Sequence, residues 1–232
     1  MKLSQETIDI FALFSKINDS IILTPGNAVY TKSEDSKMVA RAEIAETIPE
    51  KAPLFRSLDK LVRIAKLLKD PDIEFTREKI VVKSGRFSQT IVLSDPSYIV
   101  APKGDPADRQ IDWNVQFNLS RDEVELISKA ASITNAPHFV IESDGEGPIR
   151  VVGTDEKSSS TDHHVFVTET SSADKFRIIL SRSCLLFEPA DYEVSICCAS
   201  DCRAASFRRL GDDKRALQYW IALEDGSTYE AA

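Results

Sequence analysis

The chain has 232 residues, of which 42% are hydrophobic, and a formal net charge of -8. This length allows one large domain or two small ones, and the acidity argues against a protein that simply coats nucleic acid, although it is compatible with a local basic surface. No apolar run reaches the roughly 18 residues of a membrane span, and Glu6 and Asp9 interrupt the start where a signal peptide needs an apolar core. We therefore expect a cytoplasmic protein whose four cysteines are thiols.

The first predicted element is an amphipathic helix that begins after Ser4, a favourable N-cap residue, and ends near Asn18. One face of this helix has apolar residues at helical spacing, which predicts a buried stripe: Ile8, Phe11, Phe14 and Ile17. The opposite face consists of polar or small residues.

Alternating apolar and polar residues then predict a series of half-buried strands, separated by turn residues such as Pro25-Gly26. The last two strands of this half form a hairpin with a predicted two-residue turn at Ser84-Gly85. The predicted strands of the first half are 27–32, 37–44, 51–55, 73–75, 78–83 and 86–93.

A strongly basic helix is predicted between these strands, from Arg56 to Asp70, where Pro71 must end it. Between Arg56 and Lys69, five basic residues face the single acid Asp59, a local charge of +4 in a chain of net charge -8. The remaining segments therefore sum to -12. A charged helix face is usually only solvated, so this helix alone leaves a binding role open.

Residues 93–112 are rich in proline and charge, which predicts a surface linker instead of regular structure. The linker nevertheless contains three consecutive apolar residues, Tyr98, Ile99 and Val100. These residues either pin the linker to the body of the protein or form part of a binding site.

The second half repeats the pattern of the first. Ser120 and Glu123 match a capping box at the start of a helix that buries Val124 and Ile127. A short helical segment is expected at 181–187, and the polar tail 225–232 is expected to fray. Strands are predicted at 113–119, 138–143, 149–154, 163–169, 175–180, 192–198, 202–209 and 217–223.

Few helices and many antiparallel strands predict an α+β fold of two similar domains, with the helices on one face of antiparallel sheets. We place an N-terminal domain at 1–94, an interdomain connector at 95–111 and a C-terminal domain at 112–232. The two halves share this pattern with little sequence identity, which favours a duplicated module.

A search for catalytic or metal-binding motifs finds no phosphate loop, no dinucleotide-binding motif and no nucleophile elbow. His163 and His164 point to opposite faces of a strand and cannot easily chelate one metal. Cys197, Cys198 and Cys202 could ligate zinc with a histidine, but without a second C-x-x-C pair buried thiols are the favoured interpretation. We expect no enzyme, no cofactor and no metal site.

Three stretches carry a resemblance to a known family: MKLSQETIDIFALFSKINDSIILTPG, DPSYIVAP and YWIALEDGSTYE. With these segments at the right positions in a chain of the right length, the sequence resembles the sliding clamps of T-even-type bacteriophages, the processivity factors of DNA polymerase. The resemblance implies three subunits of two clamp-type domains each, forming a ring whose helices line a central hole for duplex DNA. An acidic exterior with a basic lining suits such a ring, because phosphate contacts carry no sequence information and allow sliding.

The resemblance also implies roles for individual residues. Phosphate-binding residues in the channel would be Lys60, Arg63, Lys66 and Lys69, joined by Lys2, Lys16, Arg121, Lys129 and Arg182. A pocket for partner peptides would involve Tyr98, Ile99, Val100, Ala101, Pro102, Ala222 and Leu223. Subunit contacts would come from two edge strands, through Phe87, Gln89, Ile91 and Leu93 of the first and His164, Phe166 and Thr168 of the second.

The implied partners are duplex DNA of any sequence, two further copies of the chain, the phage DNA polymerase and a clamp-loader ATPase, and possible partners are late-transcription factors with the host RNA polymerase. The implied location is the cytoplasm of an infected bacterium. One segment departs from the resemblance by its basic character: it contains Arg203, Arg208, Arg209, Lys214 and Arg215. Two alternatives stay open, a monomeric adaptor built on the same doubled domain and an enzyme with an unrecognised motif.

Overall fold

The computed structural model describes residues 1–157, 163–199, 202–211 and 216–232. Two compact units are present: the first comprises Met1–Arg109 with the described part of Asp212–Tyr219, and the second comprises the described residues of Gln110–Gly211 and Trp220–Ala232. The connector as far as Arg109 therefore belongs to the first unit. No helix among the described residues is long and apolar enough to span a membrane.

The first unit contains two helices and three groups of paired strands. β1 pairs with β4, β2 pairs with β3, and β5, β6 and β7 form a three-stranded antiparallel sheet in that order. The elements are α1 (Gln5–Ile17), β1 (Ile21–Leu23), β2 (Gly26–Lys32), β3 (Met38–Ile48), β4 (Ala52–Leu54), α2 (Leu58–Leu67), β5 (Asp72–Phe75), β6 (Lys79–Ser84) and β7 (Phe87–Val92). Single 3-10 turns at Pro96–Tyr98 and Pro106–Asp108 follow in the connector.

The second unit contains one α-helix and two antiparallel sheets. One sheet has the strand order β11-β10-β9-β12-β16, and β13 lies between β8 and β14 in the other. The elements are β8 (Val115–Leu119), α3 (Arg121–Thr134), β9 (His138–Asp144), β10 (Pro148–Thr154), β11 (His164–Ser171), β12 (Lys175–Ser181), a 3-10 turn (Arg182–Cys184), β13 (Tyr192–Cys198), β14 (Arg203–Arg209), β15 (Gln218–Ala222), whose first two residues belong to the first unit, and β16 (Thr228–Glu230).

Each unit has its own core between helix and sheet, as the apolar periodicity predicted. In the first unit, α1 buries Ile10, Phe11 and Phe14, each at most 1% exposed, and packs against α2 and β3. In the second, α3 buries Val124 and Ile127 toward the sheets. The predicted capping box is present, with Ser120 and Glu123 satisfying each other's backbone amides.

Some predicted details were wrong. The basic helix ends at Leu67 and not near Asp70, because Leu68 is already extended and Asp70 is left-handed with φ 52° before Pro71. The hairpin turn consists of Gly85 and Arg86, since Ser84 pairs with Phe87. The tail does not fray completely, because Thr228–Glu230 adds a strand to β12. The short strand β1 was not predicted.

Candidate functional site

The basic residues of α2 lie on its solvent face, opposite the residues that hold the helix on the core. Leu58 and Leu61 are fully buried, as expected for positions three residues apart on one face of a helix. Lys60, Arg63 and Lys66 are exposed. The sequence therefore places three cations within two turns of one exposed helix surface.

Carboxylates of the same surface contact two of the cations predicted to bind DNA. The Arg63 Nε lies 2.8 Å from an Asp59 carboxylate oxygen one turn earlier, and the Lys66 Nζ lies 3.4 Å from Asp9 on α1. All four of these side chains are about half exposed or more, so water competes for both ion pairs.

The N-terminus brings another predicted cation to the end of α2. The Lys2 ammonium contacts the Asp70 carboxylate, and this hydrogen bond raises the pKa of Lys2 above its ordinary value. Lys69 lies beyond the helix end and is exposed, and Lys16 is exposed in the last turn of α1. Lys60 makes no ion pair within the described part of the chain. Six of the nine predicted DNA-binding cations thus belong to the α1–α2 region.

The other three predicted cations lie in the second unit, where positive charge is not concentrated. α3 carries Arg121 and Lys129 but three acids, and Lys129 lies 2.5 Å from Glu125, whose pKa it lowers. Arg182 is half-buried in the 3-10 turn after β12. The basic helix surface is therefore a property of the first unit.

The connector is fixed to the first unit by Asp105. The Asp105 carboxylate accepts hydrogen bonds from the Tyr30 hydroxyl (2.9 Å) and the Arg41 Nε (3.1 Å), and it caps its own 3-10 turn through the Ala107 amide (2.9 Å). Burial raises the pKa of Asp105, but these hydrogen bonds outweigh it and hold that pKa below its ordinary value. Burial and the bond to Asp105 raise the pKa of Tyr30.

The predicted pocket residues of the connector divide into a buried anchor and exposed neighbours. Ile99 is only 8% exposed, whereas Tyr98 is 71% exposed and packs 6.3 Å from the ring of Phe55, centre to centre. Ala101 and Pro102 line a cleft of about 350 Å³ in the first unit, together with Ile22, Thr24, Tyr30, Lys51, Gly104 and Asp105. Ala222 and Leu223 belong to the second unit, so their part in the pocket stays a prediction.

The two strands predicted to form subunit contacts both lie at sheet edges. Among the described strands of their sheets, β7 pairs only with β6, and β11 pairs only with β10. Both carry exposed apolar side chains, unusual on a free edge: Phe87 (43%) and Val92 (72%) on β7, and Val165 (50%) and Val167 (53%) on β11.

Further exposed apolar residues on helices were missed by the sequence reasoning. Leu126 and Ile133 are 56% and 82% exposed on α3, which packs beside β10 and β11, and Leu67 is 77% exposed at the end of α2. Leu126 and Ile133 are seven residues apart and share one face of their helix. This spacing was available in the sequence as a second apolar face beside the buried one.

His164 has a specific place at the start of the edge strand β11. Its ring packs edge-on against Phe139, with centres 6.2 Å apart, and its Nδ1 lies 3.3 Å from the Thr134 hydroxyl. The Nε2 atom is buried without a hydrogen-bond partner in the described residues. Burial, assisted by the neighbouring His163, lowers the pKa of His164.

The His164 ring occupies the space above Gly153, its partner on β10. A Cβ at position 153 would lie 1.9 Å from the His164 ring. We expect Gly153→Ala to lower the free energy of unfolding by about 1–3 kcal/mol, because the ring must leave its packed position. Urea denaturation measures this loss. It should largely disappear in a His164→Ala background, and Gly147→Ala, where the nearest atom is 3.8 Å away, is the matched control.

The lowered pKa of His164 predicts a pH dependence of stability. A histidine that is harder to protonate when folded than when unfolded binds more protons in the unfolded state below its ordinary pKa of 6.5. Stability should therefore fall as the pH drops below about 6.5. Melting temperatures between pH 5.5 and 8 should show a smaller fall for His164→Gln than for the natural chain. An equal fall in both proteins would assign the effect to other groups.

The described arginines of the basic segment after β13 all contact an acceptor within the chain. Arg208 forms a two-point contact with Glu193 at 2.8 and 3.1 Å, Arg209 contacts Glu188, and Arg203 donates to the carbonyl oxygen of Ser227. Lys214 and Arg215 lie outside the described residues. Cys197 is buried, and the residues that are described contain no group of three His, Cys, Asp or Glu side chains placed to hold a metal.

Comparisons of the sequence and of the structure with known proteins point to the same class of protein. No family model matches the chain. It is 24% identical over 230 residues to the sliding clamp of Vibrio phage KVP40, covering 97% of this chain and 99% of that protein. It is also 24% identical to the sliding clamp of Escherichia phage RB69, over 99% of this chain and all of the relative. The structure of A. fulgidus PCNA with the C-terminal region of FEN-1 matches with a TM-score of 0.68 at 15% identity, over 98% of this chain.

The fold is the clamp fold of PCNA, since the match covers the whole of the A. fulgidus PCNA chain. Within this class, the chain resembles the sliding clamps of T-even-type phages along its full length. The expected α+β clamp fold and the expected family resemblance are both confirmed.

Proposed function

We propose that this chain is the sliding clamp of a T-even-type phage, a protein that encircles duplex DNA and tethers the replicative polymerase. The observation that supports this most strongly is the full-length similarity to phage sliding clamps in a chain whose fold is a clamp fold. The chain acts by binding and topology and not as an enzyme. Its two clamp domains are residues 1–94 and 112–232, joined by the connector 95–111.

DNA binding is assigned first to the exposed cations of α2 and its flanks. Lys60, Arg63 and Lys66 lie on one accessible helix face, and cations at this spacing can follow a phosphate backbone without reading bases. Lys2, Lys16 and Lys69 extend the same region. The contributions of Arg121, Lys129 and Arg182 should be smaller, because α3 carries more acids than bases.

Ring closure is assigned to the two sheet edges. We propose that β7 of one subunit pairs with β11 of the next, and that three such head-to-tail contacts close a homotrimer. The exposed apolar residues on both edges and the exposed apolar face of α3 support this pairing, since they would be buried by it. DNA enclosed by the closed ring can escape only when one of these interfaces opens.

Partner binding is assigned to the connector. The cleft lined by Ala101 and Pro102 and the exposed ring of Tyr98 provide an apolar surface on which a short peptide can be anchored. The expected peptides come from the phage polymerase and the ATP-driven clamp loader. Late-transcription factors acting with the host RNA polymerase are possible further users of this surface, within the infected cell.

Molar mass in solution tests the assembly directly. Light scattering over a wide range of protein concentration should give three times the chain mass of 25.8 kDa, falling only on dilution. The trimer should also be retained on nicked circular DNA and released when the circle is cut. A constant mass of one chain, with no difference between circular and linear DNA, would overturn the ring and favour a monomeric adaptor.

A further inference from the structure

The cations proposed to hold DNA are accompanied by acids placed on the same helix surface. Asp59 precedes Arg63 by one turn and contacts its Nε at 2.8 Å, and Asp9 reaches from α1 to the Lys66 Nζ at 3.4 Å. The Gln5 side-chain amide donates a hydrogen bond of 2.9 Å to the same Asp9 oxygen that faces Lys66. Asp9 is therefore oriented by two side chains toward the basic surface.

These carboxylates are positioned to oppose a phosphate. Arg63 and Lys66 are each already paired with a carboxylate. A phosphate oxygen that binds either cation has to displace that carboxylate or lie close to its negative charge. The pairs are solvated, with Asp9 and Asp59 side chains 49% and 46% exposed, so they compete with phosphate without excluding it. An exposed ion pair of this kind lowers the affinity of its cation for phosphate by about fivefold at most.

We propose that Asp9 and Asp59 are built-in counter-charges that weaken the contact of α2 with DNA phosphates and thereby let the protein slide rapidly. This inference rests on the proposed function. A protein retained by topology does not need strong contacts, and each strong contact slows its movement along the duplex. Lys60, which has no acid partner among the described residues, supplies attraction that the counter-charges do not reduce.

The first test compares Asp9→Asn with Glu74→Gln in the full-length protein. Each variant removes one exposed carboxylate from a lysine and changes the net charge by +1, but Glu74 pairs with Lys83 on the β5–β6 sheet, at 2.9 Å. The probe is a fluorescent 30-base-pair linear duplex, titrated at salt concentrations from 50 to 200 mM. Asn preserves the shape of Asp9 and its contact with Gln5.

We expect Asp9→Asn to tighten duplex binding by about two- to fivefold per chain and to steepen the plot of log affinity against log salt by up to about 0.9 for the released cation. Asp59→Asn should act in the same direction, and the double variant should diffuse more slowly on stretched DNA. Glu74→Gln should leave affinity within about 1.5-fold of the natural chain, because its lysine partner is not among the predicted DNA-binding cations and the exposed charge that it removes is screened by salt.

Two results would overturn the counter-charge role. One is unchanged affinity and slope for Asp9→Asn with an intact fold, and the other is an equal gain for Glu74→Gln, which would indicate net charge alone. A loss of thermal stability without any change in DNA binding would assign Asp9 to helix packing only. Because the probe is short and linear, these results do not depend on ring closure, so a failure of the ring proposal is recognised separately by mass.

Discussion

Neutralising the three exposed cations of α2 should markedly reduce the salt dependence of DNA binding without changing the assembly state. In Lys60→Gln/Arg63→Gln/Lys66→Gln, three phosphate contacts per chain are lost. The slope of log affinity against log salt should then fall by about 2.7 for each helix in contact with the duplex. Between 50 and 200 mM salt, this corresponds to a change of about 40-fold in relative affinity.

The fold should tolerate this change, because all three side chains point to solvent while Leu58, Leu61 and Val62 hold the helix on the core. The measurement is a duplex titration at several salt concentrations, with light scattering of the same samples. The matched control removes two lysines and one arginine elsewhere on the exposed surface of the first unit: Arg77→Gln/Lys79→Gln/Lys103→Gln. Equal losses of slope in both triple variants would refute a specific role of α2.

The sequence predicted the buried and exposed faces of α2 correctly, because they depend on residues that are close together in the chain. A repeat of apolar residues every three to four positions defines which face is buried, and the cations necessarily take the other face. Other local patterns placed the capping box of α3 and, apart from its turn residues, the β6–β7 hairpin. Local patterns failed at the ends of elements, where Asp70 adopts a left-handed conformation that no periodicity signals.

Contacts between distant residues could not be predicted in this way. Lys66 and Asp9 are 57 positions apart, and Gly153 and His164 become neighbours only through the pairing of β10 with β11. The polar tail looked unstructured because its strand, Thr228–Glu230, depends on hydrogen bonds to β12 and on no apolar pattern of its own. The partner and interface residues came from family resemblance, and their roles remain proposals.

The structure also refines which residues of β7 are available to a second subunit. The Leu93 amide donates to the Glu78 carbonyl oxygen at 2.8 Å, and hydrogen-bonded pairs alternate along an antiparallel ladder. The backbone groups of Phe87, Gln89 and Ile91 are therefore directed to β6, through their partners Ser84, Val82 and Ile80. Those of Ser88, Thr90 and Val92 point to the free edge, which the sequence could not distinguish.

Thr90→Pro should therefore convert the proposed trimer to single chains while leaving each chain folded. Proline removes an outward N–H that β6 does not use, and edge strands tolerate proline where the N–H faces solvent. A strand of the next subunit would lose a ladder hydrogen bond worth about 1 kcal/mol and would meet the proline ring. The lost hydrogen bond alone should weaken each interface by about fivefold, contact with the proline ring should weaken it further, and a closed trimer has three such interfaces.

Light scattering at low micromolar concentration should then give the mass of one chain, 25.8 kDa, and retention on circular DNA should be lost. Thr90→Ala keeps the outward N–H and should remain trimeric, so it separates the backbone effect from loss of the threonine side chain. Far-UV circular dichroism should be the same for both variants. A Thr90→Pro protein that dissociates at the same concentration as the natural chain would count against β7 as the strand that closes the ring, since the proline lacks the N–H that the ladder would use at this position.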